Sequence, residues 1–327
     1  MISKKLKLGN FPTKIERLEK LSTMLKENIY IKRDDQTGSE VSGNKIRKLE
    51  FSINEAINND CDTLITCGGI QSNHARATAA AGIKLGLKSV LVLRSDETPE
   101  MEGNYLIDKI MGADIRIISS EDYRERRQEI MENILKELEE KGRKGYIIPE
   151  GASNGIGTFG YINCFKEILD QEKKLGITFD TIVTAVGSGG TFAGLYLGNK
   201  LTESNKKIVG INVCDSAEYF KDKVCSILEE VKTYIPDRKF EITKDDMHII
   251  DGYVGDGYAL SRPEELEFIC DFAEAEGIIL DPVYTGKTMR GLYTELKKGT
   301  FKDSKNILFI HTGGIFGLFS KRNQFGF

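Results

Sequence analysis

The chain has 327 residues, 46 Lys and Arg against 50 Asp and Glu, a net charge of -4, and 40% hydrophobic and 29% charged residues. That length suffices for two domains with cores of their own, and the slightly acidic balance gives no footprint for a nucleic acid. No apolar run approaches the roughly 18 residues of a membrane span, so neither a nucleic acid nor a membrane is expected as a partner.

Short apolar runs alternate with helical patterns from end to end, which predicts an α/β protein whose sheets are mostly parallel, twisted and flanked by helices. NIYIKR (28–33) reads as a strand, and IRKLEFSINEAI as a helix opening at SGNK. DTLITC (62–67), SVLVLR (89–94), ADIRIIS (113–119) and GYIIP (145–149) follow as strands, with ARATAAAGIKLG a helix between the first two. The charged stretch from Arg124 to Gly142 reads as a helix with a solvated face. A glycine-rich crossing, EGASNGIGTFGY (150–161), comes next, with Gly151, Gly155, Gly157 and Gly160 suited to sharp backbone changes. Beyond it lie the helix YINCFKEILDQEKKLG and the strands DTIVTAV (180–186), KIVGINV (207–213) and NILFIHT (306–312). We expect residues 50–155 to form a smaller domain inserted into a larger one built from 1–49 and 156–327.

The six cysteines (Cys61, Cys67, Cys164, Cys214, Cys225, Cys270) include no C-x-x-C pair, and the three histidines (His74, His248, His311) are too dispersed for a zinc pattern. No metal is expected, and the cysteine usage fits a reducing compartment. The start, MISKKLKLGNFPTK, lacks the apolar centre of a signal peptide. A cytoplasmic protein is the expectation.

Three strand-to-helix turns carry one device. TLITCGGIQSNHARA places Ser72, Asn73 and His74 in the first, TIVTAVGSGGTFAGL places Gly187, Ser188, Gly189, Gly190 and Thr191 in the second, and ILFIHTGGIFGLF places Thr312 in the third. Small residues let backbone amides converge at a helix N-terminus, so each turn can hold an anion. GSGGT is not a P-loop, and Phe192 stands where a dinucleotide fingerprint needs glycine. Asp215 at the end of the next strand keeps a nicotinamide dehydrogenase open. Lys45 and Lys48 add a puzzle, because both open a helix whose positive end disfavours cations. A neutral nucleophilic amine and a phosphate ligand would resolve it. A phosphate-bearing aldehyde and an amino acid together satisfy all these features, which points to pyridoxal phosphate.

SGNKIRKLEF, CGGIQSNHAR, GSGGTFAGL, DGYVGDGYAL, DPVYTGKTMRGL and HTGGIFGLF, in this order, resemble the D-cysteine desulfhydrase and 1-aminocyclopropane-1-carboxylate (ACC) deaminase group of fold-type II pyridoxal-phosphate enzymes, nearly end to end. The resemblance implies that Lys45 carries the cofactor and exchanges protons in turnover. It implies that Lys48, Gly187, Ser188, Gly189, Gly190 and Thr191 hold the phosphate, that Asn73 meets the phenolic oxygen, and that Thr312 contacts the cofactor. Ser72, Asn73 and His74 would receive the substrate carboxylate, while Tyr258 and Tyr284 line the substrate pocket. His311 is read as structural. A homodimer is implied as well.

Three positions depart from the deaminase pattern: Thr285 where it has glutamate at the pyridine nitrogen, His74 where it has glutamine, and Thr312 where it has leucine. A neutral hydroxyl at that nitrogen, from Thr312 or less directly Thr285, would leave a weaker electron sink than a carboxylate, adequate for expelling a thiolate but poor for opening a cyclopropane. The expected activity is β-elimination from D-cysteine to pyruvate, hydrogen sulfide and ammonia. ACC deamination, a lyase acting on another β-substituted amino acid such as L-cysteate, and a non-catalytic ligand-binding protein stand as alternatives.

Overall fold

A computed structural model describes residues 4–327. Its ten strands are β1 (Ile15–Arg17), β2 (Asn28–Lys32), β3 (Thr63–Gly69), β4 (Lys88–Arg94), β5 (Asp114–Ile118), β6 (Gly145–Ile148), β7 (Thr181–Val186), β8 (Lys207–Asn212), β9 (His248–Ile250) and β10 (Asn306–Ile310). The helices are α1 (Glu19–Leu25), α2 (Lys45–Asn58), α3 (Asn73–Lys84), α4 (Gly103–Ile110), α5 (Ser120–Glu140), α6 (Gly155–Leu175), α7 (Gly190–Leu201), α8 (Ala217–Tyr234), α9 (Pro263–Glu276), α10 (Thr285–Lys297) and α11 (Ile315–Phe319). They flank two sheets, ordered β1-β2-β10-β7-β8-β9 and β5-β4-β3-β6. Every pairing is parallel except β1 with β2. Among the described residues no helix is long and apolar enough to cross a membrane.

Helices on both faces explain why the central strands are apolar in unbroken runs: all six residues of β7 are buried. Side chains still alternate. Leu308 and Ile310 of β10 join Phe159, Phe165, Phe192 and Phe220 on the face covered by α6, α7 and α8. Ile307 and Phe309 point the other way, to Met289 and Leu292 of α10 and Phe272 of α9. The edge strand β5 is half solvated, and Asp114 pairs with Arg116 along it, which blunts an otherwise open edge.

Two expectations need correction. Of the crossing glycines only Gly151 has positive φ, at 66°, while Gly155, Gly157 and Gly160 sit inside α6. Their use is close approach: a Cβ at Gly160 would lie 2.5 Å from the carbonyl carbon of Arg47, so any side chain there would push α6 off α2. The charged helix α5 is not simply a solvated face. It buries Tyr123, Met131, Ile134 and Leu138, and its first turns line the main cavity.

Candidate active site

The carboxyl ends of both sheets open onto one cavity of about 680 Å³. This is where open α/β sheets bind ligands, because the strand-to-helix turns gather there. Lys45, Ser72, Asn73, His74, Gly187, Ser188, Gly189, Thr191, Tyr258, Tyr284 and Thr312 all line it. Lys48 and Gly190 lie just behind this wall: a Cβ on Gly190 would sit 3.0 Å from Lys48 Nζ.

Lys45 is the first residue of α2, and the turn before it is pinned to the third glycine turn. Asn44 N–H donates to the Thr312 carbonyl at 3.0 Å, and Gly43, at φ 99°, leaves no room for a Cβ against that same oxygen. Burial pushes the Lys45 amine down to about 8, against the pull of Asp281 and Glu150, with Arg76 pushing the same way as burial. A neutral, nucleophilic fraction is therefore present near neutral pH. Its Nζ donates to Asn44 Oδ1 at 3.1 Å and lies 5.6 Å from the centre of the Tyr284 ring.

Behind the GSGGT turn, Lys48 is fully buried and donates to Ser153 Oγ at 3.1 Å. Burial and the neighbouring Lys45 push its pKa well below the usual value. Ser153 also meets Ser188 Oγ at 2.8 Å and accepts from Gly190 N–H at 3.3 Å, at the start of α7. Gly189, at φ 85°, bends the chain so that these groups converge. A buried cation held only by a hydroxyl, converging serines and a helix N-terminus together suit a phosphate.

The first turn offers donors. Ser72 Oγ accepts from Ala75 N–H at 3.1 Å as the α3 cap, which leaves its proton to give away. Asn73 Oδ1 accepts from Asn104 Nδ2 at 2.9 Å, so its own amide nitrogen is free. His74 departs from expectation. Thr66 Oγ1 gives its single proton to the Ile148 carbonyl at 2.7 Å, so its 2.8 Å contact with His74 Nε2 requires the ring nitrogen to donate. Burial, Lys45 and Lys48 hold the ring neutral. Nδ1 is buried and has no hydrogen-bond partner by distance, although the Pro149 backbone pulls the ring pKa up against burial.

Of the two threonines offered for the neutral hydroxyl, Thr285 is turned away. It is absent from the cavity wall because its hydroxyl donates to Asp281 Oδ1 at 2.7 Å and accepts from Asp281 N–H at 2.7 Å. It serves the start of α10, and Thr312 alone of the two threonines faces the cavity. His311 holds the neighbouring turn, meeting the Ile279 carbonyl at 3.0 Å through Nε2 and accepting from Gly313 N–H at 3.2 Å through Nδ1. Tyr258 and Tyr284 join hydroxyl to hydroxyl at 2.7 Å. Burial raises both pKa values, Tyr258 to about 12, so both phenols stay protonated at neutral pH.

Sequence reasoning missed several residues. Asn44 bridges Lys45 and Thr191, whose Oγ1 accepts from its Nδ2 at 3.0 Å, and a GNK motif could have drawn attention to it. Ser153 and Asn104 gave no signal, because their roles come from contacts with distant turns. Arg94, Tyr123 and Glu150 also line the cavity.

The family model described as pyridoxal-phosphate dependent enzyme matches residues 6–313. The chain is 44% identical over 326 residues to the bifunctional D-cysteine desulfhydrase/1-aminocyclopropane-1-carboxylate deaminase, mitochondrial, of Arabidopsis thaliana, covering 97% of this chain and 80% of that one. It is 45% identical over 315 residues to a putative 1-aminocyclopropane-1-carboxylate deaminase of Thermotoga maritima, covering 96% and 97%. A crystal structure of an ACC deaminase homologue superimposes with a TM-score of 0.91 at 40% identity, covering 98% of this chain and 95% of that one. The chain therefore belongs to the pyridoxal-phosphate-dependent enzymes, in the group that contains the ACC deaminases and D-cysteine desulfhydrases.

Proposed function

We propose that the protein is a β-elimination lyase that converts D-cysteine and water to pyruvate, hydrogen sulfide and ammonia. The observation that carries this reading is the part of the cavity lining that adjoins Lys45. It holds a neutral hydroxyl at Thr312 and a phenol pair, Tyr258 and Tyr284, able to give a proton to a departing sulfur. The first half of the Arabidopsis relative's name supports it.

The residues fit pyridoxal phosphate. Lys48, Ser188, Thr191 and the amides of Gly187, Gly189 and Gly190 would hold its phosphate, with Ser153 linking Lys48 to Ser188. Asn73 would meet its phenolic oxygen, and Lys45 Nζ would bind its aldehyde carbon. Once bound, the cofactor supplies the electron sink that lets an amino acid lose its α-proton. Lys45, with its depressed pKa, takes that proton. Ser72 and Asn73 donate to the substrate carboxylate, while His74 Nδ1 is left to accept from a neighbouring donor. The Tyr284 ring covers one side of the amine, its centre 5.6 Å from Nζ.

Two further assignments come from the sequence and the family. The chain divides into a domain of residues 50–155 inserted into one of 1–49 and 156–327, and it works as a cytoplasmic homodimer. Light scattering on the purified protein checks the dimer, which a monomeric mass would refute.

The substrate test offers the cofactor-loaded protein D-cysteine, L-cysteine and ACC in parallel and follows keto-acid release. Pyruvate from D-cysteine without 2-oxobutyrate from ACC is the expected result. The second reading, ring-opening deamination, is favoured by the names of the relatives. Appreciable 2-oxobutyrate would replace our proposal with it.

A further inference from the structure

Arg94 closes β4, and its guanidinium enters the cavity where β4 gives way to a loop. Two aromatic faces position it: its Cζ lies 5.3 Å from the centre of the Tyr123 ring and 5.8 Å from that of Tyr258. Arg127 stacks on the same Tyr123 ring at 5.1 Å and donates to the Tyr123 carbonyl at 3.0 Å, which fixes the ring that carries Arg94. Arg124, one turn away, is paired with Glu125 at 2.8 Å. Arg94 makes no such pair among the described residues, so its charge is available to the cavity.

From Arg94 a line of contacts runs inward: to the Tyr258 ring, through the 2.7 Å hydroxyl contact to Tyr284, and across the Tyr284 face to Lys45 Nζ. The two phenols are not equivalent along it. Arg94 stands against Tyr258, whereas Tyr284 faces the Lys45 amine.

We propose that Tyr258 is the acid that protonates the departing sulfur, and that Arg94 is the positioning residue that stabilises the phenolate left behind. As the bond between Cβ and sulfur breaks, its electron pair leaves with sulfur, which takes the Tyr258 proton. The phenolate oxygen is then held by the Tyr284 hydroxyl while the guanidinium faces the ring that carries the charge, and the phenolate regains its proton from water before the next turnover. The charge balance around Tyr258 agrees. Burial raises its pKa, the Tyr284 hydrogen bond and Arg94 draw it down, and Glu150 and Cys214 push it up. For Tyr284 burial and the Tyr258 contact both push upward, so Tyr258 gives up its proton first.

This inference rests on the β-elimination reading, and leaving-group dependence separates the two. A thiol leaves with a proton, whereas chloride from β-chloro-D-alanine needs none. With Arg94→Met holoenzyme we expect kcat for D-cysteine to fall roughly 10- to 30-fold, the worth of a desolvated cation on an aromatic face. KM and the turnover of β-chloro-D-alanine should stay within about twofold, a tolerance small against that loss. Arg94→Lys, which keeps the charge, should recover most of the loss, and Tyr258→Phe should lower D-cysteine turnover at least as far as Arg94→Met does. Should Arg94→Met not fold or not take up cofactor, Arg94→Gln with the same two substrates decides. Equal losses on both substrates would place Arg94 in a step common to them and overturn the inference, as would no loss on either. If the wild-type enzyme released no sulfide at all while turning over β-chloro-D-alanine, the D-cysteine reading itself would fail, whatever the variants do.

Discussion

Arg47 and Lys48 are consecutive residues of α2, both buried, and their surroundings are opposite. Arg47 faces a completed network. Its guanidinium donates to Asp34 at 2.7 and 2.8 Å and to Glu167 at 2.9 and 3.0 Å. Asp34 is further held by Tyr161 at 2.6 Å, and Lys32 balances the second acid at 2.6 Å. Lys48, with Lys45 one turn before it, finds a single hydroxyl. The same helical turn thus carries a structural cation whose counter-charges come from the chain and two lysine amines whose partners are left to a ligand. Exposure does not tell these roles apart, since both faces are interior. The completeness of the hydrogen bonding does.

Replacing residues on each face should break different properties. Lys45→Ala should have the largest effect, abolishing turnover together with the visible absorbance that the cofactor gains when joined to a lysine. A coloured, active variant would remove Lys45 from the chemistry. Next comes Arg47→Met. Removing one partner from a buried charge network costs about 3–5 kcal/mol, because Asp34 and Glu167 keep their burial and lose their cation. Urea unfolding should show that loss in Lys45→Ala and wild-type backgrounds alike. Lys48→Met is smaller and opposite in kind. A lost charge-assisted contact of about 1.5–3 kcal/mol should weaken cofactor affinity roughly tenfold to a hundredfold. The apo-protein should be as stable as wild type or more so, because a poorly compensated cation has been removed. If Lys48→Met instead unfolds the protein, the contrast between the two faces is wrong.

The contrast was half legible in the sequence. The eight apolar runs became strands within two residues of their expected bounds, because strands covered on both faces must be apolar throughout. β1 and β9 are three residues each, too short to leave a pattern, and exist through their pairing with β2 and β8. Glycine turns were readable because amide convergence demands small residues locally. Ser153 was not, since it meets Lys48 across 105 positions of chain. The α5 helix misled for a related reason: charged residues at helical spacing look the same whether they face solvent or a polar cavity. Thr285 shows the limit of motif comparison, which fixes a residue type but not the direction of its side chain. The tautomer of His74 depended on Thr66, which nothing in the QSNH motif reveals.

The smallest effect is the one that reads the two faces in a single experiment, the pH dependence of apo-protein stability. Burial alone would raise the Asp34 pKa, but the Arg47 charge and hydrogen bonds, Lys32 and Tyr161 hold it at about 2, below its ordinary 3.8. The folded state then binds fewer protons than the unfolded one in that window, so stability present above pH 3.8 is lost as pH falls toward 2. Lys45 acts at the other end. Its pKa is about 8 when folded and 10.5 as an ordinary lysine, so between these values the unfolded state again binds more protons. Stability should therefore rise with pH across that window, by at most about 1.4 kcal/mol per pH unit. The difference between wild type and Lys45→Met isolates this term from the other groups that titrate there. The slope should flatten in Lys45→Met at pH 8–10 and remain in Arg47→Met. An unchanged slope in Lys45→Met would mean that the amine is charged in the folded protein, and the puzzle of a lysine at a positive helix end would need another answer.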